Sequence, residues 1–271
     1  MLAEEKYRHC CRALKDFAQQ AGFAEVVFGL SGGIDSALVA LMCVDAFGAD
    51  KVHAVLLPGP FTSAASVDDA QELADRLGIA LSTISITEAF QAFKQAFVDA
   101  GLSPLEASAA ENTQARCRMI CLMALSNMHR WMLVNTGNKS ELLVGYSTMY
   151  GDMAGAFAPL GCLYKTEVYE LSRWRNACEA KTGRPALIPV SILEKAPSAE
   201  LAADQEDEKC LGISYAALDR ILIALVEEGK SVEEAIACGN AAKQVEQVLA
   251  LMEANAFKRP LAPPCPSSLR A

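Results

Sequence analysis

Apolar residues Tyr7, Cys10, Cys11, Leu14, Phe17 and Ala18 recur at helical spacing, which predicts an amphipathic helix over residues 4–21 that stops near Gly22. The period then changes. Short β-branched and aromatic runs at about 25–30, 51–57, 80–86 and 131–135 read as buried strands. Helical patterns follow them at about 36–47, 66–77 (with Asp68 and Asp69 in its first turn), 88–100 and 105–130. Repeated strand–helix alternation predicts an α/β protein with a doubly wound parallel sheet flanked by helices and ligands at the carboxyl ends of the strands. Residues 145–155 are too glycine-rich for a long helix and too polar for a strand, so a loop over the site is expected there, followed by a helix over 165–176. Pro, Ser, Asp and Glu dominate about 183–210, which reads as a mobile lid. Three amphipathic helices are expected at about 215–228, 231–238 and 241–255, then a loosely ordered Pro/Ser tail over 260–271.

Composition narrows the class. The 271 residues are 52% hydrophobic, enough for one large domain spanning 1–271, and no internal repeat interrupts it. A net charge of −9 lacks the electrostatic footprint of a nucleic-acid binder. The charged start, Met1 to Lys6, has no signal-peptide character, and no apolar run approaches the roughly 18 residues of a membrane span, so a cytoplasmic protein with no membrane partner is expected. Ten cysteines form no C-x-x-C pair, Cys117 and Cys121 lie four apart in a helical pattern, and only three histidines are present, so reduced core cysteines are expected in place of disulfides or a metal cluster.

Candidate chemistry begins where the first strand ends, at Gly29-Leu30-Ser31-Gly32-Gly33-Ile34-Asp35-Ser36. Gly32 and Gly33 lack a Cβ, so the backbone can take positive φ and approach an oxyanion at the start of the next helix. Ser31 and Ser36 add hydroxyl donors, and Asp35 can hold the magnesium that travels with polyphosphates. A plain Ser-capped glycine turn would need neither Asp35 nor the second serine. The fourth strand repeats this logic in Thr136-Gly137-Asn138-Lys139-Ser140-Glu141. Glu141 reads equally as a second cation ligand or as a first-turn glutamate facing a helix dipole. Asn112 and Arg116, four apart on the long helix, share a face that is either solvated or turned to a ligand. Lys165 opens its helix where an ammonium could meet a phosphate, although a surface lysine has the same pattern.

The Ser31–Ser36 string resembles the pyrophosphate loop of the N-type ATP pyrophosphatases, which cleave ATP between the α- and β-phosphates and activate a substrate as its adenylate. Further segments narrow the resemblance to the NAD synthetases: Glu111-Asn112-x-Gln114-Ala115-Arg116-x-Arg118, Thr136–Glu141, Gly145-Tyr146 with Tyr150-Gly151-Asp152, Lys165-Thr166 and Pro197-Ser198-Ala199-Glu200-Leu201. The resemblance implies an adenine-nucleotide α-hydrolase-like, Rossmann-like fold with C-terminal helices. It implies a C–N ligase that amidates deamido-NAD with ammonia, consuming ATP and releasing AMP and pyrophosphate. It implies that Gly29, Ser31, Gly32, Gly33, Asp35, Ser36, Thr136, Lys165 and Ser198 contact ATP, with Asp35 and Lys165 catalytic and Asp35 and Glu141 holding Mg2+. Asn112, Arg116, Glu141, Asp152 and Lys258 would face deamido-NAD. A homodimer is implied as well, with the apolar stripe Met119, Ile120 and Met123 as the candidate interface.

Two departures matter. Ammonia-dependent single-domain members carry a lysine before the Tyr-Gly-Asp and an aspartate four residues beyond it, where this chain has Met149 and Ala156. Gly151–Gly155 and Phe61-Thr62-Ser63 look more like the synthetase domain of glutamine-dependent members, whose N-terminal glutaminase domain has no counterpart in these residues. The expectation is a free-standing synthetase that takes ammonia from solution or from a separate glutaminase. The alternatives are another amidating or thiolating ATP pyrophosphatase and a non-catalytic nucleotide-binding subunit.

Overall fold

The structure is a computed structural model and describes residues 2–269; Met1 and the last two residues of the expected tail, Arg270 and Ala271, lie outside the described residues. Helix α1 (Ala3–Gln20) leads into β1 (Val26–Gly29), α2 (Ile34–Phe47), β2 (Val52–Leu56), α3 (Ala64–Leu77), β3 (Ala80–Thr83), α4 (Thr87–Asp99), α5 (Ala107–His129) and β4 (Met132–Leu133). The strands form one parallel sheet in the order β3-β2-β1-β4. The chain winds outward from β1 to β3 and then returns to β4 on the other side of β1. The winding therefore reverses between β1 and β4, which is where a doubly wound sheet opens its ligand crevice.

Each strand buries both faces, and its period of two sorts side chains between two cores. Val26, Phe28, Leu56 and Met132 pack with Leu14 of α1, Leu38 and Leu41 of α2 and Leu73 of α3. Val27, Val55 and Leu133 pack with Phe90 of α4 and Cys117, Met119 and Leu122 of α5. Phe28 is fully buried at the centre, worth roughly 1.5–3 kcal/mol relative to exposure. α2 is apolar on nearly every side because α1 and α7 (Lys165–Lys181) both cover it.

After β4 come α6 (Lys139–Val144), α7, α8 (Val190–Glu194), α9 (Asp207–Leu211), α10 (Tyr215–Leu222), α11 (Val232–Ala237) and α12 (Ala242–Ala254). A third core joins Val144 of α6 and Tyr164 to Leu218, Ile221, Val245 and Val248 of the C-terminal helices. That core fixes α6, and hence Glu141, against the sheet.

Several expected boundaries move. The cap of α3 is Ser63, whose side chain accepts from Ser66 N at 3.1 Å, so the helix begins before Ser66. β4 is two residues long and is extended only by a parallel bridge between Val134 and Phe157. The expected helix over 215–228 is α10 followed by a π-helical turn, Ile223–Glu227. All ten cysteines are free, with Cys10, Cys43, Cys117 and Cys162 buried. Among the described residues no helix is long and apolar enough to cross a membrane.

Candidate active site

The loops after β1 and β4 open side by side into a cavity of about 530 Å3, within the range of small-molecule sites. Gly29, Ser31, Gly33, Asp35 and Ser36 line it from one loop, and Thr136 and Glu141 from the other. Gly32 is the exception. It takes φ +76° and turns into the protein, where a Cβ would stand 2.2 Å from the Ser66 carbonyl oxygen. Gly33 is extended at φ −92°, so the positive φ expected of both glycines belongs to Gly32 alone.

The cradle is held open by its own hydroxyls. Gly33 N donates to Ser31 Oγ at 3.2 Å, Ser36 Oγ donates to the Gly33 carbonyl at 3.0 Å, and the two hydroxyls lie 3.1 Å apart. These bonds leave donors at the mouth of α2, where the helix dipole favours an anion.

Behind the cradle, Lys165 Nζ is ion-paired with Asp35 and lies 3.3 Å from Glu141 Oε1. Asn138 Nδ2 donates to the other Asp35 oxygen at 3.0 Å. Both readings of Glu141 hold. Its backbone N–H donates to the Asn138 side chain at 3.0 Å in a capping box, while its carboxylate reaches Lys165. Burial pushes the Glu141 carboxyl up to about 8 in spite of Lys165, and Asp35 and Asp207 nearby push the same way. Burial pulls the Lys165 ammonium down, but Asp35 and Glu141 outweigh it, so the lysine stays charged. Asp207 adds a third carboxyl to this cluster, raised by burial and hydrogen-bonded by Tyr146 and Tyr215.

The site fits a divalent cation on donor chemistry. Hard carboxylate oxygens outnumber the single ammonium, whereas no group of three or more His, Cys, Asp or Glu among the described residues is placed to hold a metal alone. Two carboxylates completed by phosphate oxygens and water is the arrangement magnesium prefers.

The remaining expected contacts divide. Asn112, Asp152, Ser198 and Lys258 line the cavity; Arg116 does not. Arg116 Nε donates to the Met149 carbonyl at 3.1 Å, and its side chain lines a shallow apolar groove with Phe93, Phe97 and Ile120. Asn112 Oδ1 accepts from Thr148 Oγ1 at 2.7 Å, so both α5 residues brace the 145–153 loop. Asp152 accepts from Thr148 N at 2.6 Å, and burial raises its carboxyl to about 6 against that bond and the nearby Lys258 and Arg118. Lys258 Nζ is tied to the Gly145 and Ser147 carbonyls at 2.7 and 2.8 Å. Ser198 Oγ donates to the Gln205 carbonyl at 2.6 Å, and the expected lid lies along the cavity rim. The tail closes another side, where Ala158 N donates to the Pro264 carbonyl at 2.9 Å.

Sequence reasoning missed three contributors. Arg118 lines the cavity and donates to the Leu57 carbonyl at 3.0 Å; it stood in a quoted motif, but spacing does not say which arginine faces the sheet. Asp219 of α10 accepts from Ser140 Oγ at 2.6 Å and Thr166 N at 2.8 Å, thereby locking the residues next to Glu141 and Lys165. Lys195 lines the cavity from the rim. The Ser147 hydroxyl, buried in the wall, has no hydrogen-bond partner among the described residues and is left for a ligand.

Comparison with known proteins agrees with this site. Residues 6–262 match the family model described as NAD synthase. The glutamine-dependent NAD(+) synthetase of Rhodobacter capsulatus is 46% identical over 263 residues, covering 94% of this chain and 47% of that protein. That of Thermotoga maritima is 43% identical over 94% of this chain and 44% of its own length. The chain thus spans about half the length of the curated relatives it matches. Among solved structures, NMN synthetase from Francisella tularensis superposes with a TM-score of 0.80 at 32% identity, covering 96% of both chains. NH3-dependent NAD synthetase from Campylobacter jejuni gives 0.74 at 30% identity, covering 95% of this chain and 96% of that one.

Proposed function

The chain belongs to the NAD synthase family, and from that premise we propose that its cavity amidates deamido-NAD with ammonia at the expense of ATP. The observation that carries this reading is the convergence of the Ser31–Ser36 cradle, Lys165 and the Asp35/Glu141 pair on one crevice. A carboxylate is a poor acyl donor, so the nicotinate carboxylate oxygen first attacks the α-phosphorus of ATP. The bond to the β-phosphate bridging oxygen breaks and pyrophosphate leaves. Ammonia then attacks the acyl carbon, loses a proton, and AMP departs with the carboxylate oxygen.

Ser31, Gly33 and Ser36 bind the departing pyrophosphate through hydroxyl and N–H donors, and Lys165 offsets the charge building on it. Gly32 shapes the loop, Gly29 brings it out of β1, and Thr136 and Ser198 bound the nucleotide. Magnesium held by Asp35 and Glu141 would supply charge neutralisation at the phosphates. Asn112, Asp152 and Lys258 face the acyl substrate, with Glu141 between it and the metal; Arg116 supports the same loop from behind.

The nitrogen source is ammonia, free or delivered by a glutaminase. The 271 residues act as one domain in the cytoplasm, whose 183–210 segment serves as the lid, and pair as a homodimer through the exposed α4/α5 face. Incubating the protein with deamido-NAD, ATP, magnesium and ammonium should yield NAD and AMP; ADP in place of AMP would sink the reading. A second acceptor is favoured by the full-length match to the Francisella tularensis NMN synthetase. The mononucleotide of nicotinate presents the same carboxylate, and kcat/KM on the two acceptors decides between them.

A further inference from the structure

On the rim nearest the cradle, just after α8, Lys195 Nζ donates to Ser66 Oγ at 2.9 Å and to Asp69 Oδ2 at 2.9 Å. Its side chain is 28% exposed and lines the cavity. Ser66 is also the residue whose carbonyl crowds Gly32. The Lys195 ammonium is therefore tied down on the residue against which the phosphate loop is packed.

Charge at this end of the cavity is unbalanced for a polyphosphate. Lys165 is already shared by Asp35 and Glu141, with Asp207 close by, and Lys258 is committed to backbone carbonyls across the cavity. Lys195 is the basic side chain at the cradle whose present partners could release it at small cost. If Lys195 swings away, Asp69 keeps the Ser191 hydroxyl and Ser66 keeps Glu200 Oε1 at 2.7 Å, so neither is left buried and unpaired. Glu200 also holds Ser63 Oγ at 2.8 Å and Ser63 N at 3.2 Å, which pins this segment to the start of α3 while the lysine moves. A flexible four-carbon stem with three rotatable donors suits such an exchange.

We propose that Lys195 is a phosphate-binding residue of this site, which exchanges Asp69 and Ser66 for the β- and γ-phosphate oxygens of bound ATP and holds them as the leaving pyrophosphate. The proposal rests on the reading of the cavity as an ATP-cleaving site and is indifferent to the acyl acceptor. The test is calorimetric titration of the whole protein with magnesium pyrophosphate, using wild type, Lys195→Met, Lys195→Gln, Lys195→Arg and Asp69→Asn, each verified folded by its melting curve. Loss of one charge-assisted contact should weaken binding by about tenfold or more in the Met and Gln variants. Lys195→Arg should stay within a few-fold of wild type, and Asp69→Asn, which frees the lysine, should bind no more weakly than wild type. Wild-type affinity in both Lys195→Met and Lys195→Gln would overturn the proposal. So would an Asp69→Asn protein weakened as much as they are, because the pair would then be only a structural lock. A wild-type protein that binds no pyrophosphate would overturn the adenylation reading itself, and this proposal with it.

Discussion

The Lys165 ammonium and the Asp35 carboxylate meet as an ion pair between the first residue of α7 and the first turn of α2, with the lysine side chain 3% exposed. Burying either charge alone would cost several kcal/mol, so each holds the other ionised in the cavity wall. Phosphoryl chemistry at the cradle needs both signs: a cation for the leaving pyrophosphate and an anion for magnesium. Lys165→Ala should slow AMP formation by about one to two orders of magnitude, from a contact worth roughly 1.5–3 kcal/mol. Asp35→Ala should abolish magnesium-dependent turnover. Near-wild-type initial rates in either variant would remove that residue from the chemistry.

Much of this arrangement is legible in sequence because it is local. β1, its glycine loop and α2 are contiguous, and the apolar periods of α1, α5 and α12 survive folding with ends shifted by a residue or two. Contacts between distant segments are not legible. Glu200 holds Ser66 across 134 residues, and Asp219 holds Ser140 across 79, and neither carries a local signal. Arg116 and Arg118 are two apart on α5 and so point to different sides, one to the outer groove and one to the cavity. The expected stripe splits for the same reason: Met119 is buried against the sheet, while Ile120 and Met123 are exposed.

Gly32 and Gly33 should differ in a substitution test. At Gly32 an added methyl meets both a positive φ and a backbone carbonyl that cannot swing aside. Gly32→Ala should lose about 2 kcal/mol or more of stability and most pyrophosphate binding. At Gly33 the nearest atom would be the Ser31 hydroxyl at 3.3 Å, with φ ordinary, so Gly33→Ala should melt close to wild type. Equal melting temperatures for the two variants would refute the asymmetry.

Asp152 should leave a mark on the pH dependence of stability. Its folded carboxyl is raised from 3.8 to about 6 by burial. Between those values the folded protein holds a proton that the unfolded chain has lost, so stability falls as pH rises from about 4 to about 6 and then levels. The full effect corresponds to roughly 3 kcal/mol. Asp152→Asn keeps an acceptor for Thr148 N but cannot ionise, so its stability relative to wild type should increase across that window in denaturant titrations. Parallel curves would exclude a buried titrating carboxyl here.

The outer face of α4 and α5 supplies the last prediction. Ile120 is 60% exposed, Phe93 43% and Met123 41%, and a groove lined by Phe93, Phe97 and Ile120 runs between the helices. Leaving such side chains in water is unfavourable, and a self-complementary patch of this kind buries itself most simply on a second copy. Arg116 lines the same groove, so the α5 residue expected at the acyl substrate lies at the proposed subunit boundary. Sedimentation should show a dimer at micromolar concentration, and Ile120→Glu should shift it toward monomer without lowering the melting temperature of the sheet core. If the boundary completes the acyl site, that variant should raise KM for deamido-NAD while KM for ATP, whose cradle lies at the opposite edge of α5, stays put. A wild-type monomer would remove the interface, and a dissociated variant with an unchanged acyl KM would confine the acyl site to one subunit.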